Sequence, residues 1–237
     1  MSPWFRAFTE GALIVGSILL AFALDAWWDN RSREGDLRVQ LEVVADELRS
    51  TRDMLTMVLR AHDLNARLLR DLRVALSEVE AGTEVAVADE TVGPLMLQVT
   101  ADVTTSSLDA FIAAGGLELV DDRGLRAELR AWPAYIEDLL DDEIYLRNFA
   151  AADLGRWLRE HVDTANAELQ GSNVVMHRLG GAPPPAPELL GTLTLRRDRE
   201  LMNLLAARES GERMIRANLE RLVEQAERNI AALGASR

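Results

Sequence analysis

The chain contains no cysteine and no lysine. The first absence excludes disulfides, thiolate metal sites and cysteine nucleophiles, and it leaves cytoplasm and periplasm equally open. The second makes all 26 basic residues arginine, against 39 acidic ones, for a net charge of −13. A chain this acidic is a poor general ligand for nucleic acid, where affinity comes from neutralising phosphates, so no nucleic-acid partner is expected. Histidines number three, and no two of His62, His161 and His177 stand at the i, i+4 spacing of a helical metal site. Glu160-His161-x-Asp163 places its side chains on different faces of a helix. Gly115-Gly116 has neither a preceding strand nor a following Lys-Ser/Thr, so it is not a phosphate-cradling loop. Thr105, Ser106 and Ser107 have no His or Lys close in sequence and read as helix caps rather than nucleophiles. No catalytic residue, metal site or cofactor is therefore expected, and the chain reads as a non-enzyme.

What is present is apolar sequence, 48% over 237 residues, enough to bury a core. It is concentrated at the start. From Ala7 to Trp28 only Glu10 and Asp25 are ionisable, and as a helix these 22 residues span ~33 Å against a hydrocarbon core of ~30 Å. Trp4 stands at one end with Phe5, and Trp27 and Trp28 stand at the other, the placement of interfacial aromatic belts. A cleavable signal peptide is disfavoured, because Trp-Trp-Asp-Asn occupies the boundary where an Ala-x-Ala-like site would be. A buried core helix is the other alternative. The lipid-spanning reading predicts a single-pass anchor over residues 1–30.

Within that span Glu10, Ser17, Ala21 and Asp25 are separated by 7, 4 and 4 residues and fall within about 80° of one helix face. Ser17-x-x-x-Ala21 is a small-xxx-small pair of the kind that lets membrane helices approach closely. Either the stripe faces protein, its natural partner being the same stripe on another copy, or the two acids reach the interfaces. The first alternative predicts a homo-oligomer.

A 4-3 seam then runs from Leu37 through Leu41, Val44, Leu48, Thr51, Leu55, Val58, His62, Asn65, Leu69, Leu72 and Leu76 to Val79, with 10 of its 13 positions apolar. It predicts a stalk helix over residues 31–82, interrupted only at Gly35, its seam closing on another copy or on later helices of the same chain. Thr51, His62 and Asn65 form a polar layer in the seam. Buried Asn fixes register in coiled coils, and His titrates near neutrality, so the layer is either a register device or a pH-sensitive one. Residues 83–107 read as a loop with a short helix near Leu95–Val99. Residues 108–170 read as helical, with a short first helix ended by Gly115-Gly116 and a kink at Pro133. Residues 171–194, rich in Pro and Gly, read as a stiff connector, and residues 195–234 as a last helix. Val85–Ala88 is the only alternating stretch. Trp132, Tyr135, Tyr145, Phe149 and Trp157 recur at helical spacings and read as core, and Arg196-Arg197-x-Arg199 as a solvated face. The expected fold is all-α: an N-terminal transmembrane helix continuing into a long stalk packed in an antiparallel helical bundle.

The opening Thr9–Arg31, with Glu10, Asp25, Trp27 and Arg31 around a Leu/Ile/Val-rich span, resembles a group of uncharacterised bacterial single-span membrane proteins. The block Ser107–Val120 followed by Leu125-Arg126 also resembles that group, and together they cover about a quarter of the chain. The resemblance implies a one-span helical protein, with an outward-facing domain in relatives that have basic N-termini. Here the N-terminal flank has only Arg6, while Arg31, Arg33 and Arg38 follow the span, a count that by itself favours a cytoplasmic C-terminal side. The expected location is the bacterial inner membrane with the bulk of the chain periplasmic. The expected role is a membrane-anchored, self-associating scaffold or sensor module with the lipid bilayer, other copies and an unidentified protein as partners. The alternative is a subunit of a small homo-oligomeric cation channel, with carboxylate rings of Glu10 and Asp25.

Overall fold

The computed structural model describes residues 3–235, with the backbone alone for residues 3–14, Asn30, Glu34, Pro187 and Ala235. One helix, α1 (Pro3–Ser77), runs through Gly35 without a break. A turn through Gly82 leads to strand β1 (Glu84–Ala88), the single-turn helix α2 (Asp89–Val92) and a 3-10 turn at Gly93–Met96. Then come α3 (Ser106–Ala113), α4 (Arg123–Asn148), a π-helical turn at Phe149–Leu154, α5 (Gly155–His161), α6 (Ala165–Arg178), β2 (Thr192–Arg196) and α7 (Arg199–Ala235).

Three heptad seams face one another. On α1 the seam is buried or half-buried at every position from Leu37 to Leu76. On α4 the same 4-3 spacing runs through Leu125, Leu129, Trp132, Ile136, Leu139, Glu143 and Leu146, and on to Ala150 in the π-helical turn. On α7 it runs from Leu201 and Leu205 to Leu219, Leu222, Ala226 and Leu233. Side-chain pairs set the directions. Asp63 meets Arg216 and Arg73 meets Glu209, while Asp142 meets Asn218 and Tyr135 lies under Arg221, so α7 is antiparallel to both α1 and α4. The stalk seam thus closes within the chain, on later helices of the same polypeptide. Burial divides into two apolar clusters, one containing Val44, Leu48, Phe111, Trp132 and Leu219, the other containing Leu69, Leu95, Trp157, Leu195 and Leu201.

The chain is mostly helical, as its periodicities require, but it is not all-α. β1 and β2 pair antiparallel with Val85 opposite Leu195 and Val87 opposite Leu193. Val85–Ala88 is thus not the only alternating stretch: Thr192-Leu-Thr-Leu-Arg196 also has period two, so Leu193 and Leu195 turn inward while Thr192, Thr194 and Arg196 stay exposed. The last helix therefore starts at Arg199 rather than Leu195, with the Asp198 carboxylate accepting from Leu201 N at 2.7 Å. Residues 171–178 are not connector but the second half of α6. Gly171 persists in that helix because it crosses Gly93: a β-carbon on Gly171 would stand 2.8 Å from the Gly93 carbonyl. Pro133 does not interrupt α4, whose neighbouring Leu129, Trp132 and Ile136 are buried. Neither Ser106 nor Ser107 caps α3; the carboxylate of Glu47 on α1 instead accepts from Ser107 N at 2.8 Å and Leu108 N at 3.2 Å. Tyr145 is exposed, not core, because it falls off the α4 seam.

Among the described residues no helix is long and apolar enough to cross a membrane. From Val15 to Trp28 the described side chains of α1 are all exposed, and Leu37 is the first buried residue of the helix among those described. Arg33, donating to Ala114 O at 3.1 Å, marks where α1 joins the bundle.

Replacing Gly171 with Ala should destabilise the protein by about 1–3 kcal/mol, because backbone on both sides prevents relief of the overlap. Urea unfolding followed by circular dichroism measures it, and an unchanged midpoint would contradict the crossing.

Candidate functional site

Between the two apolar clusters lies a layer of charge. His62 on α1, Glu143 on α4, and Arg208 and Glu212 on α7 are each at most 1% exposed. All four occupy heptad seam positions. Arg208 and Glu212 fill the seam of α7 between Leu205 and Ile215, so helix geometry alone drives them inward. Gln98, from the extended segment after the 3-10 turn, completes the layer.

The contacts form a closed ring. His62 Nδ1 is 2.6 Å from Glu212 Oε2, and His62 Nε2 is 3.2 Å from Gln98 Nε2. Arg208 Nη1 donates to Gln98 Oε1 at 2.9 Å, and Nη2 donates to Leu97 O at 3.0 Å. Glu212 Oε1 is 2.9 Å from Arg208 Nη2, yet it takes no aligned hydrogen bond because the guanidinium N–H groups point at Gln98 and Leu97. That contact is Coulombic. The ring also fixes a tautomer. A guanidinium has donors only, so the Gln98 oxygen must face Arg208 and its amide N–H must face His62. His62 Nε2 is then the acceptor, and Nδ1–H donates to the Glu212 carboxylate. A proton on Nε2 would meet the Gln98 amide donor head-on.

Glu143 stands beside the ring, both carboxylate oxygens accepting from Ala101 N at 2.9 and 3.0 Å. Burial raises its pKa from 4.5 to about 7, against the lowering effects of the Ala101 hydrogen bond and the charge of Arg147. Burial pushes the Arg208 guanidinium below its ordinary value, and Glu212 draws it back. Arg208 Nε and Asn65 Oδ1 are buried without a partner.

The structure brings together only part of the polar stalk layer read from the sequence. His62 belongs to the ring, and Asn65 is buried one turn further along α1. Thr51 is buried separately, in the cluster nearer the N-terminus, about 16 Å along the helix from His62. Of the N-terminal stripe, Ser17, Ala21 and Asp25 are exposed on α1, as are Trp27 and Trp28. The side chains of Glu10 and Trp4 lie outside the described residues. Sequence reasoning missed Arg208, Glu212, Glu143 and Gln98. For the first three a signal existed: charged residues at seam positions, Glu143 between Leu139 and Leu146, and Arg208 with Glu212 between Leu205 and Ile215. Gln98 had none, since it reaches the layer from an irregular segment.

Chemically the ring is a neutralised ion pair bridged by a buried imidazole and by the half-buried amide of Gln98. Nothing in it is placed to attack a substrate. Among the described residues no group of three His, Asp or Glu side chains could hold a metal ion. What the layer does is fix the α1–α7 register: sliding α7 along α1 would set Arg208 or Glu212 against leucine, and an uncompensated buried charge costs about 3–5 kcal/mol. Comparison with protein-family models, with curated proteins and with solved structures gives no match to any of them.

The raised pKa of Glu143 fixes a pH dependence. Between pH 4.5 and about 7 the folded protein holds a proton that the unfolded chain has lost, so stability falls as pH rises through this window. The loss is about 3 kcal/mol. Glu143→Gln should abolish that loss and raise the melting temperature most at pH 8, as calorimetry at pH 5 and 8 would show. Equal effects at both values would contradict the assignment.

Proposed function

We propose that this chain is a membrane-anchored, self-associating helical scaffold or sensor module that works by binding partners and not by catalysis. One observation carries the reading. The described part of α1 ahead of the bundle, Val15–Trp28, exposes eight large apolar side chains, among them Phe22 at 67% and Trp28 at 68%. A continuous apolar patch of this kind on a monomer marks a membrane or protein interaction site. In sequence it is the C-terminal part of the apolar run that begins at Ala7, which a bilayer accommodates over its full 22 residues. Trp27 and Trp28 stand at its polar boundary with Arg31 over the Trp27 ring at 5.9 Å, a grouping suited to the headgroup region.

The α1 seam is already filled from Leu37 onward by α3, α4 and α7, so self-association in this reading falls to the N-terminal segment. There Ser17, Ala21 and Asp25 share a helix face. The likeness to single-span bacterial proteins belongs to the same reading, as does placing the acidic bundle in the periplasm, clear of anionic lipid. The buried ring suits a sensor in one respect: it holds two apolar clusters in a single register, and a change at the ring changes both.

Membrane fractionation with an alkaline carbonate wash, then light scattering of the detergent-solubilised protein, tests the proposal. The chain should stay in the pellet and run as a defined homo-oligomer, and in liposomes it should pass no cations. Release by carbonate would overturn the anchor, and a monomer at micromolar concentration would overturn self-association. A cation flux abolished by Asp25→Asn would replace the scaffold with a channel.

A further inference from the structure

At the end of the bundle remote from the apolar segment, the β1–β2 ribbon, the start of α7 and the end of α5 enclose a groove of about 700 Å³. The arginines of Arg196-Arg197-x-Arg199, which in sequence stand among acids, here line one concavity together with His161 and Trp157. We propose that this groove binds a small soluble ligand carrying phosphate groups.

The cations are not spent on one another's neighbours. Among the described residues neither Arg196 nor Arg199 takes an ion pair, although both are exposed in a chain with a net charge of −13. Arg196 stands opposite Glu84 in the ribbon, yet its guanidinium lies across the turn at Gly82, with Nη2 3.5 Å from where a β-carbon would sit. Arg197 is tethered: its backbone N–H donates to Thr83 O and its guanidinium to Val79 O, which fixes the ribbon between its two neighbours. Of the two acids that line the groove, Asp198 is occupied capping α7, which leaves Glu84 against the arginines. His161 is held rather than free. Its ring stacks on Trp157 at 4.2 Å and 12°, and its Nδ1 is 2.7 Å from Trp157 O. That contact uses Nδ1 and leaves Nε2 for a ligand.

Guanidinium groups are matched to oxyanions because their planar N–H forks meet two oxygens at once. Two such groups with no ion pair, set in a concavity of ligand size, suit several phosphate oxygens better than a single carboxylate. The source of the phosphate follows from the length of α1. From Asp29 to Ser77 the helix extends roughly 70 Å, so headgroups of a bilayer holding the N-terminal segment are out of reach.

Titration calorimetry of pyrophosphate into the full-length protein in a neutral detergent tests this. Saturable 1:1 binding is expected, weakened about tenfold or more in Arg196→Gln/Arg199→Gln, since each guanidinium supplies charge-assisted hydrogen bonds. The control variant Arg67→Gln/Arg70→Gln removes the same charge from an exposed face of α1 and should bind as the parent does. Absence of saturable binding, or equal weakening in both variants, would overturn the proposal. Anionic phosphatidylglycerol vesicles added in place of pyrophosphate should not protect His161 from chemical modification by diethyl pyrocarbonate, whereas pyrophosphate should; protection by the vesicles would overturn the soluble source.

Discussion

Three helices can share one seam only if what fills each level is compatible across all of them, and at one level this chain fills the seam with charge. Arg208 and Glu212 could not be left there singly. Each is buried, and each is compensated only when α7 stands opposite His62 and Gln98 in the observed register. A buried ion pair contributes little net stability, because desolvation offsets most of its Coulomb energy. Its contribution is selective: it penalises every other alignment of α1 and α7. The apolar levels above and below supply the driving force for burial, and leucine repeating at heptad spacing is nearly indifferent to a shift of one whole repeat. The ring removes that indifference.

This division of labour shapes the rest of the molecule. A single helix, α1, carries the exposed apolar segment at one end and the ribbon at the other, so its position in the bundle sets where both are presented. The irregular chain between α2 and α3 is held to the bundle by the same layer, through Leu97 O, Gln98 and Ala101 N. Glu47 then takes two backbone amides at the start of α3. Polar groups that helices leave unsatisfied at their ends are thus met by side chains from other helices.

Long periodic elements were legible in the sequence and short paired ones were not. The α1 seam from Leu37 to Leu76 could be read position by position, because a 4-3 repeat over that length has no other physical outcome. Its partner could not: seams from the same chain and from another copy look alike. Thr192–Arg196 was hidden for a different reason. Five alternating residues acquire meaning only when β1, far earlier in the chain, lies beside them. Gly171 looked like a breaker, and only its crossing with Gly93 explains a glycine inside α6. Pro133 carried a local cost that burial of its neighbours outweighs. The ring was half legible. His62 and Asn65 stood out as polar residues in an apolar seam, and Arg208 and Glu212 carried the same signature on α7, where the 4-3 pattern continues through them. Gln98 and the groove arginines depended on tertiary placement.

Closure of the α1 seam within one chain is the claim on which the account turns, and the absence of native cysteine makes it directly measurable. Spin labels on Arg60→Cys and Arg213→Cys, exposed positions flanking the ring on α1 and α7, report their separation by pulsed dipolar spectroscopy. The account predicts one short, narrow distance that survives dilution with excess unlabelled protein. A signal that disappears on dilution, or a broad distribution with no short component, would show that the two helices do not meet in the same molecule.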